Sequence, residues 1–188
     1  MAIKPMLFNT EMVRAILSGQ KTCTRRLVKP QPGDQIDADW ECGRKSNGDL
    51  VALTPPCHTG DILYVRETWN GIRTGNPKMG FHTTYWYKAD DKYDNPDDKW
   101  RPSIHMPKEA ARIFLRVTAV RVERLQDCGN MQAKNEGCTC CSQFARVWDS
   151  TIKPADLARY GWVANPWVWV IEFERISKEA ALGGKDDE

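Results

Sequence analysis

Apolar residues recur with a helical period near the start of the chain, where Met12, Val13, Ile16 and Leu17 fall on one face. Asn9 or Thr10 can cap this helix, Glu11 favours the positive end of its dipole, and Phe8 is placed to staple onto Val13. Gly19 stands where a helix end calls for a left-handed residue. Residues 30–60 are rich in proline, glycine and polar side chains, which predicts loops with a short hairpin around Trp40 and residues 50–53. After the Gly60-Asp61 turn, residues 62–69 read as a strand, with Leu63, Val65, Glu67 and Trp69 on one face and Ile62, Tyr64, Arg66 and Thr68 on the other. Residues 70–99 read as a glycine-rich insertion holding one strand, 83–87. Residues 100–107 have no period.

A long strand follows over residues 111–125, with Ile113, Leu115 and Val117 alternating inward before Val120 and Val122 take over. The change of phase near Ala119 predicts a bulge or bend of the kind small barrels need. Within the polar residues 126–143 a short helix ends at Gly137. Phe144, Val147 and Trp148 predict a further helical turn, and residues 154–160 a short helix stopped by Gly161. Residues 166–176 are apolar on both faces in their first half, the mark of a central strand. Beyond Ser177 a polar tail is expected to fray.

With 188 residues, 41% of them hydrophobic, the chain suits one domain over residues 1–177 followed by the tail 178–188. No run of about 18 apolar residues is present to span a membrane, and the first five residues lack the apolar core of a secretion signal. Seven cysteines at irregular spacings fit a reducing cytoplasm better than a disulfide framework. A formal charge of +2 does not by itself argue for nucleic acid; its distribution says more. Asp90, Asp91, Asp94, Asp97 and Asp98 form one acidic run and Lys185 to Glu188 a polar one, both read as solvated surface. Lys21, Arg25, Arg26 and Lys29 form a basic cluster that is either solvated surface or an anion contact.

The candidate chemistry gathers in Ser18-Gly19-Gln20-Lys21-Thr22-Cys23-Thr24-Arg25-Arg26. In extended form Lys21, Cys23 and Arg25 share one face and Thr22, Thr24 and Arg26 the other. Only a tight turn makes Lys21 and Thr24 a reacting pair. Glu67, on an apolar face, calls for a partner such as Arg26, or else a catalytic role with a raised pKa. Trp100, Arg101, Ser103 and His105 lie in a segment that offers rings and donors for stacking a base or holding phosphate, or that covers the end of a barrel. Cys138, Cys140 and Cys141 lack a paired CxxC knuckle, so no metal or other cofactor is expected, a structural zinc on those three being the alternative.

These segments together resemble the ASCH domain of the PUA-like superfamily, and more narrowly the ASCH-type proteins of phages and prophages. The resemblance rests on the opening helix running into Gly19-Gln20-Lys21-Thr22-Cys23-Thr24-Arg25-Arg26, on Gly60-Asp61-Ile62-Leu63-Tyr64-Val65-Arg66-Glu67-Thr68-Trp69, on Trp100-Arg101-Pro102-Ser103-Ile104-His105-Met106-Pro107 and on Pro166-Trp167-Val168-Trp169-Val170-Ile171-Glu172-Phe173. It implies an α+β fold, a small bent β-barrel flanked by short helices, with an RNA- or nucleotide-facing cleft beside the first helix. One branch of that family deacetylates acetylated cytidine with a lysine, a threonine three positions later and a glutamate. Lys21 and Thr24 match that spacing, Glu136 is the better positional match for the glutamate, and Glu67 is the runner-up. Lys21 would then take the Thr24 proton, which a lysine of ordinary pKa, about 10.4, does not do at neutral pH unless burial or Arg25 and Arg26 drive its proton off.

Two functions follow. One is an amidohydrolase acting on an acylated nucleoside. The other is a non-catalytic RNA-binding module in which Lys21, Arg25, Arg26 and Arg66 serve as binding residues and Trp69 or Trp100 stacks a base, with Arg101, Ser103 and His105 beside them. Ribonuclease action is a third possibility.

Overall fold

Asn9 shows how short-range chemistry starts this fold: its side-chain oxygen accepts from the Met12 N–H at 2.9 Å, closing the first turn of a helix. The computed structural model describes residues 1–29, 31, 35–36, 42–44, 49–76, 80–91 and 99–183. Trp40, Asp94, Asp97, Asp98 and residues 184–188, all named in the sequence reading, lie outside them. The elements in chain order are β1 (Ile3–Leu7), α1 (Thr10–Leu17), β2 (Cys23–Leu27), β3 (Gln35–Ile36), β4 (Cys42–Arg44), β5 (Leu50–Ala52), β6 (Ile62–Arg66), β7 (Trp69–Asn76), β8 (Gly80–Tyr87), β9 (Phe114–Arg124), α2 (Asn130–Asn135), α3 (Cys141–Ser150), α4 (Leu157–Tyr160), β10 (Trp167–Ile176) and α5 (Lys178–Leu182). The fold is α+β. Among the described residues no helix is long and apolar enough to cross a membrane. The chain divides into two compact units, one of residues 1–19, 62–116 and 175–188, the other of residues 20–61 and 117–174.

In the first unit β1 pairs in parallel with β6, and β6 pairs antiparallel with the first residues of β9. Alternation along residues 62–69 holds: Leu63, Val65, Glu67 and Trp69 are buried, and Ile62 joins them. The strand itself stops at Arg66, and Trp69 opens β7. β7 pairs with β8 over its whole length, from Trp69–Tyr87 to Asn76–Gly80. Residues 70–76, read as loop, are therefore strand. Residues 100–107 form no regular element beyond a 3-10 turn at Ser103–His105, and Trp69 and Arg101 exchange backbone hydrogen bonds of 3.2 and 2.8 Å. The core gathers Ile62, Trp69, Met106, Ala110, Ala111, Phe114 and Ala181. Ala181 belongs to α5, which corrects the frayed tail: the Ser177 hydroxyl caps the helix through the Ala180 N–H, and one apolar side chain suffices to dock it.

In the second unit β10 lies between β9 and β2, and pairs antiparallel with β2 in the register Glu172–Cys23 to Val168–Leu27. Val168, Trp169, Val170 and Ile171 are all buried, as two apolar faces require. On β9 burial moves from Leu115 and Val117 to Val122, so the inward phase changes as expected from the sequence. β3, β4 and β5 form a small antiparallel sheet. Gly137, at φ +84°, ends the turn after α2 in the left-handed region. Gly161 also stops a helix, but at φ −68°; a Cβ there would sit 2.6 Å from the Leu157 carbonyl oxygen, so close approach and not handedness demands glycine.

Candidate functional site

The second unit buries four polar side chains from the predicted stretch and its surroundings: Lys21, Thr24, Arg25 and Glu136 are each no more than 3% exposed. Glu136 follows α2. Its backbone carbonyl accepts from Lys21 Nζ at 2.9 Å, while its Oε2 meets the same nitrogen at 2.6 Å. The adjacent Thr22 N–H donates to the Asn135 carbonyl at 2.8 Å. Lys21 and Thr22 thus satisfy carbonyls that the end of α2 would otherwise leave unpaired. Arg25 takes the other carboxylate oxygen, Nη1 to Oε1 at 3.0 Å. Two cations separated from Glu136 by more than a hundred residues therefore share one buried carboxylate.

β2 alternates as a strand should. Arg25 Nη1 reaches Cys23 Sγ at 3.8 Å on one face, and Arg26 Nη1 donates to Thr24 Oγ1 at 2.5 Å on the other. Arg25, which shares Glu136 with Lys21, and Thr24 accordingly project from opposite faces. The ion cluster continues outward: Arg25 Nη2 to Glu123 at 3.4 Å, Arg121 Nε to Glu123 at 2.5 Å, and Arg121 Nη1 to Glu172 at 2.5 Å. Side-chain exposure rises along this ladder from 1% at Lys21 to 43% at Glu172. Arg25 Nε has no hydrogen-bond partner among the described residues. The guanidinium also stands 5.7 Å from the centre of the Phe144 ring.

Electrostatics follow from this burial. Desolvation works against the charged form of Arg25, but Glu136 together with Cys128 and Cys23 outweighs it and the pKa rises; for Arg26 desolvation prevails and the pKa falls. Burial, with Glu136 nearby, pushes the Cys23 thiol up to about 12, and burial pushes Cys128 up to about 11. Cys140 is shifted down, first by the Gln143 backbone N–H and then by the Thr139 hydroxyl. Among the described residues no group of three or more His, Cys, Asp or Glu side chains is arranged to hold a metal ion, so Cys138, Cys140 and Cys141 do not converge as the zinc alternative required.

The remaining predicted residues belong to the first unit. Glu67 is buried and held by both oxygens, Arg112 Nε at 2.9 Å and Nη2 at 3.0 Å, with Arg112 also on Asp90 at 2.6 Å. The partner is thus Arg112 and not Arg26. Asp90, read as solvated, is part of that network. Burial raises the Glu67 pKa against the pull of Arg112. Trp69 packs inside, its ring 5.8 Å from Tyr85, with the Arg101 guanidinium 5.1 Å from its centre. Arg66 donates to the Ile104 carbonyl, Trp100 is half-buried, Ser103 is half-buried and His105 is exposed on its turn.

Sequence reading missed Arg112, Arg121 and Glu123. A signal for the last two was present: Arg121 and Glu123 lie two apart on β9 and alternate with Val120 and Val122, which puts opposite charges on one strand face. Comparison of the chain with family models, curated proteins and solved structures finds no match in any of the three.

Proposed function

We propose that this protein is an ASCH-type member of the PUA-like superfamily, built on that superfamily's bent barrel, and that it hydrolyses the amide of an acylated nucleoside such as acetylated cytidine. The observation that carries this reading is the 2.6 Å contact between Lys21 Nζ and Glu136 Oε2 in the interior of the second unit. Transfer of one proton across it turns an ammonium and a carboxylate into the amine base and carboxylic acid that amide cleavage needs. Thr24 Oγ attacks the acyl carbon and Lys21 takes its proton, a step that requires the bound substrate to draw the end of β2 out of the extended geometry and bring the two side chains together. Glu136 then protonates the departing nucleobase amine, and water releases the acyl group from Thr24. Arg26, donating to Thr24 Oγ1, stabilises negative charge developing there, and Arg25 Nε is a buried donor left for an acceptor on the ligand. Burial also argues against a purely electrostatic phosphate clamp, since Lys21 and Arg25 are already paired with the Glu136 carboxylate and shielded from solvent. Setting such charges in an interior costs stability that apolar side chains would not cost, which favours a chemical role.

A second reading rests on the alternation of β2. With Thr24 and Arg25 on opposite faces, the hydroxyl and the Lys21–Glu136 pair act apart, and the cluster shapes a nucleotide-binding surface without turnover. Incubation with acetylated cytidine separates the two. Loss of cytidine formation in Thr24→Ala and Lys21→Ala supports the amidohydrolase; ligand binding by a wild type that forms no cytidine supports the second reading.

A further inference from the structure

Lys21 and Arg25, at 3% and 2% exposure, are too enclosed to meet a substrate unless something moves. The segment that lies against both is the one that carries Glu136. It consists of α2 with a glycine at each end: Gly129 precedes the helix and Gly137, at φ +84°, follows Glu136. Its apolar hold on the unit is slight. Along α2 Ala133 is the one buried side chain, while Asn130, Met131, Gln132, Lys134 and Asn135 are exposed. Just outside the two glycines, Cys128 and Cys138 are buried and anchor the ends.

Polar contacts fasten this segment to the start of β2. The Thr22 N–H donates to the Asn135 carbonyl at 2.8 Å, Lys21 Nζ reaches the Glu136 carbonyl at 2.9 Å and carboxylate at 2.6 Å, and Arg25 reaches that carboxylate at 3.0 Å. Water or a polar ligand can take over contacts of this kind, whereas buried apolar area, which resists local opening, is scarce in α2. The neighbouring α3 is held differently: its Phe144 packs on Trp148 and Trp162, and the Trp148 indole donates to the Tyr160 carbonyl at 2.8 Å. Arg25 keeps Glu123 on β9 and the Phe144 ring as neighbours when α2 moves, since neither belongs to the segment.

We propose that residues 129–137 form a lid hinged at Gly129 and Gly137, which lifts Glu136 off Lys21 and Arg25 to admit a polar ligand and returns the carboxylate as it closes. The lid rests on the reading that a ligand is handled beside Lys21, and serves turnover and binding alike. The test is acylation of Lys21 by acetic anhydride in the full chain, followed by peptide mass spectrometry, in wild type and in Thr22→Cys/Asn135→Cys. Those two positions are exposed and their main chains meet at 2.8 Å. Wild-type Lys21 is modified while circular dichroism shows the fold intact. Oxidising the double variant to its disulfide slows Lys21 by at least about tenfold and reductant restores the rate, while exposed Lys134 reacts equally in both forms. Wild type carried through the same oxidation controls for the native thiols. Gly137→Ala, which strains the closed lid at φ +84°, speeds Lys21 by about fivefold or more. If the two introduced thiols do not join, that rate alone decides. Cytidine formed from acetylated cytidine is the second readout: it stops in the disulfide form and returns on reduction. Lys21 acylation unchanged by the disulfide or by Gly137→Ala, or undiminished turnover in the disulfide form, overturns the lid. No cytidine from wild type, with Lys21 still shielded by the disulfide, upholds the lid and overturns the amidohydrolase instead.

Discussion

Glu136→Gln is the most informative single change for stability. The substitution keeps the shape of the side chain but removes the charge that Lys21 meets at 2.6 Å and Arg25 at 3.0 Å, on side chains only 1% and 0% exposed. Deleting one partner of a buried ion pair costs about 3–5 kcal/mol, because the other charge remains desolvated. Arg25 keeps Glu123 at 3.4 Å and Lys21 keeps the Glu136 backbone carbonyl, so a value near the lower end, about 3 kcal/mol, is expected. For a chain of this size that corresponds to a fall in Tm of about 6–12 °C. Urea unfolding followed by tryptophan fluorescence measures it, with the midpoint shifted and the slope unchanged. Adding Lys21→Met restores part of the loss by removing the uncompensated ammonium. A loss below about 1 kcal/mol, the worth of an exposed pair, refutes the reasoning.

Thiol reactivity should follow the same electrostatics. Limited alkylation near pH 8 with peptide mapping is expected to modify half-buried Cys140 first, while Cys23, shifted to about 12, and Cys128, shifted to about 11, are modified last; early labelling of Cys23 contradicts this. Glu67 gives a pH dependence. Its native pKa is raised, so between its ordinary value of 4.5 and the native value the folded state holds more protons than the unfolded one, and stability falls as pH rises through that window. Glu67→Gln removes the decline, so the stability of wild type minus that of the variant should shrink with rising pH; a difference that grows sinks the assignment. Gly161→Ala is expected to lower stability by more than the few tenths of a kcal/mol typical of surface changes, because its Cβ meets the Leu157 carbonyl; thermal unfolding reads it.

The parts of this fold that could be read from sequence are those written in local chemistry. Asn9 and Gly19 bracket α1, Gly137 follows α2, and β10 is apolar on both faces, so each announces itself within a few residues. β7 did not, because Gly71 and Gly75 interrupt it and one of its faces is solvent; its strand character comes from pairing with β8, which no single window contains. α5 was hidden by its polarity, since a cap at Ser177 and one buried Ala181 are enough to hold it. At the candidate site the residue types around Lys21 were legible. The partner of Glu67 was not, because Arg112 lies 45 positions away and any nearby arginine satisfies the same rule. Alternation along β2 was foreseen as one of two geometries, and the contacts Arg25–Cys23 and Arg26–Thr24 are those of the extended one.

Whether Thr24 acts as a nucleophile decides the central claim, and one assay addresses it: cytidine formed from acetylated cytidine by wild type, Thr24→Ser and Thr24→Ala, each with confirmed folding. The account predicts turnover by wild type, reduced but measurable turnover by the serine variant, which keeps a hydroxyl, and a loss of at least about a hundredfold in the alanine variant. Equal rates for wild type and Thr24→Ala, or no cytidine from wild type at enzyme concentrations matching the substrate, would contradict it.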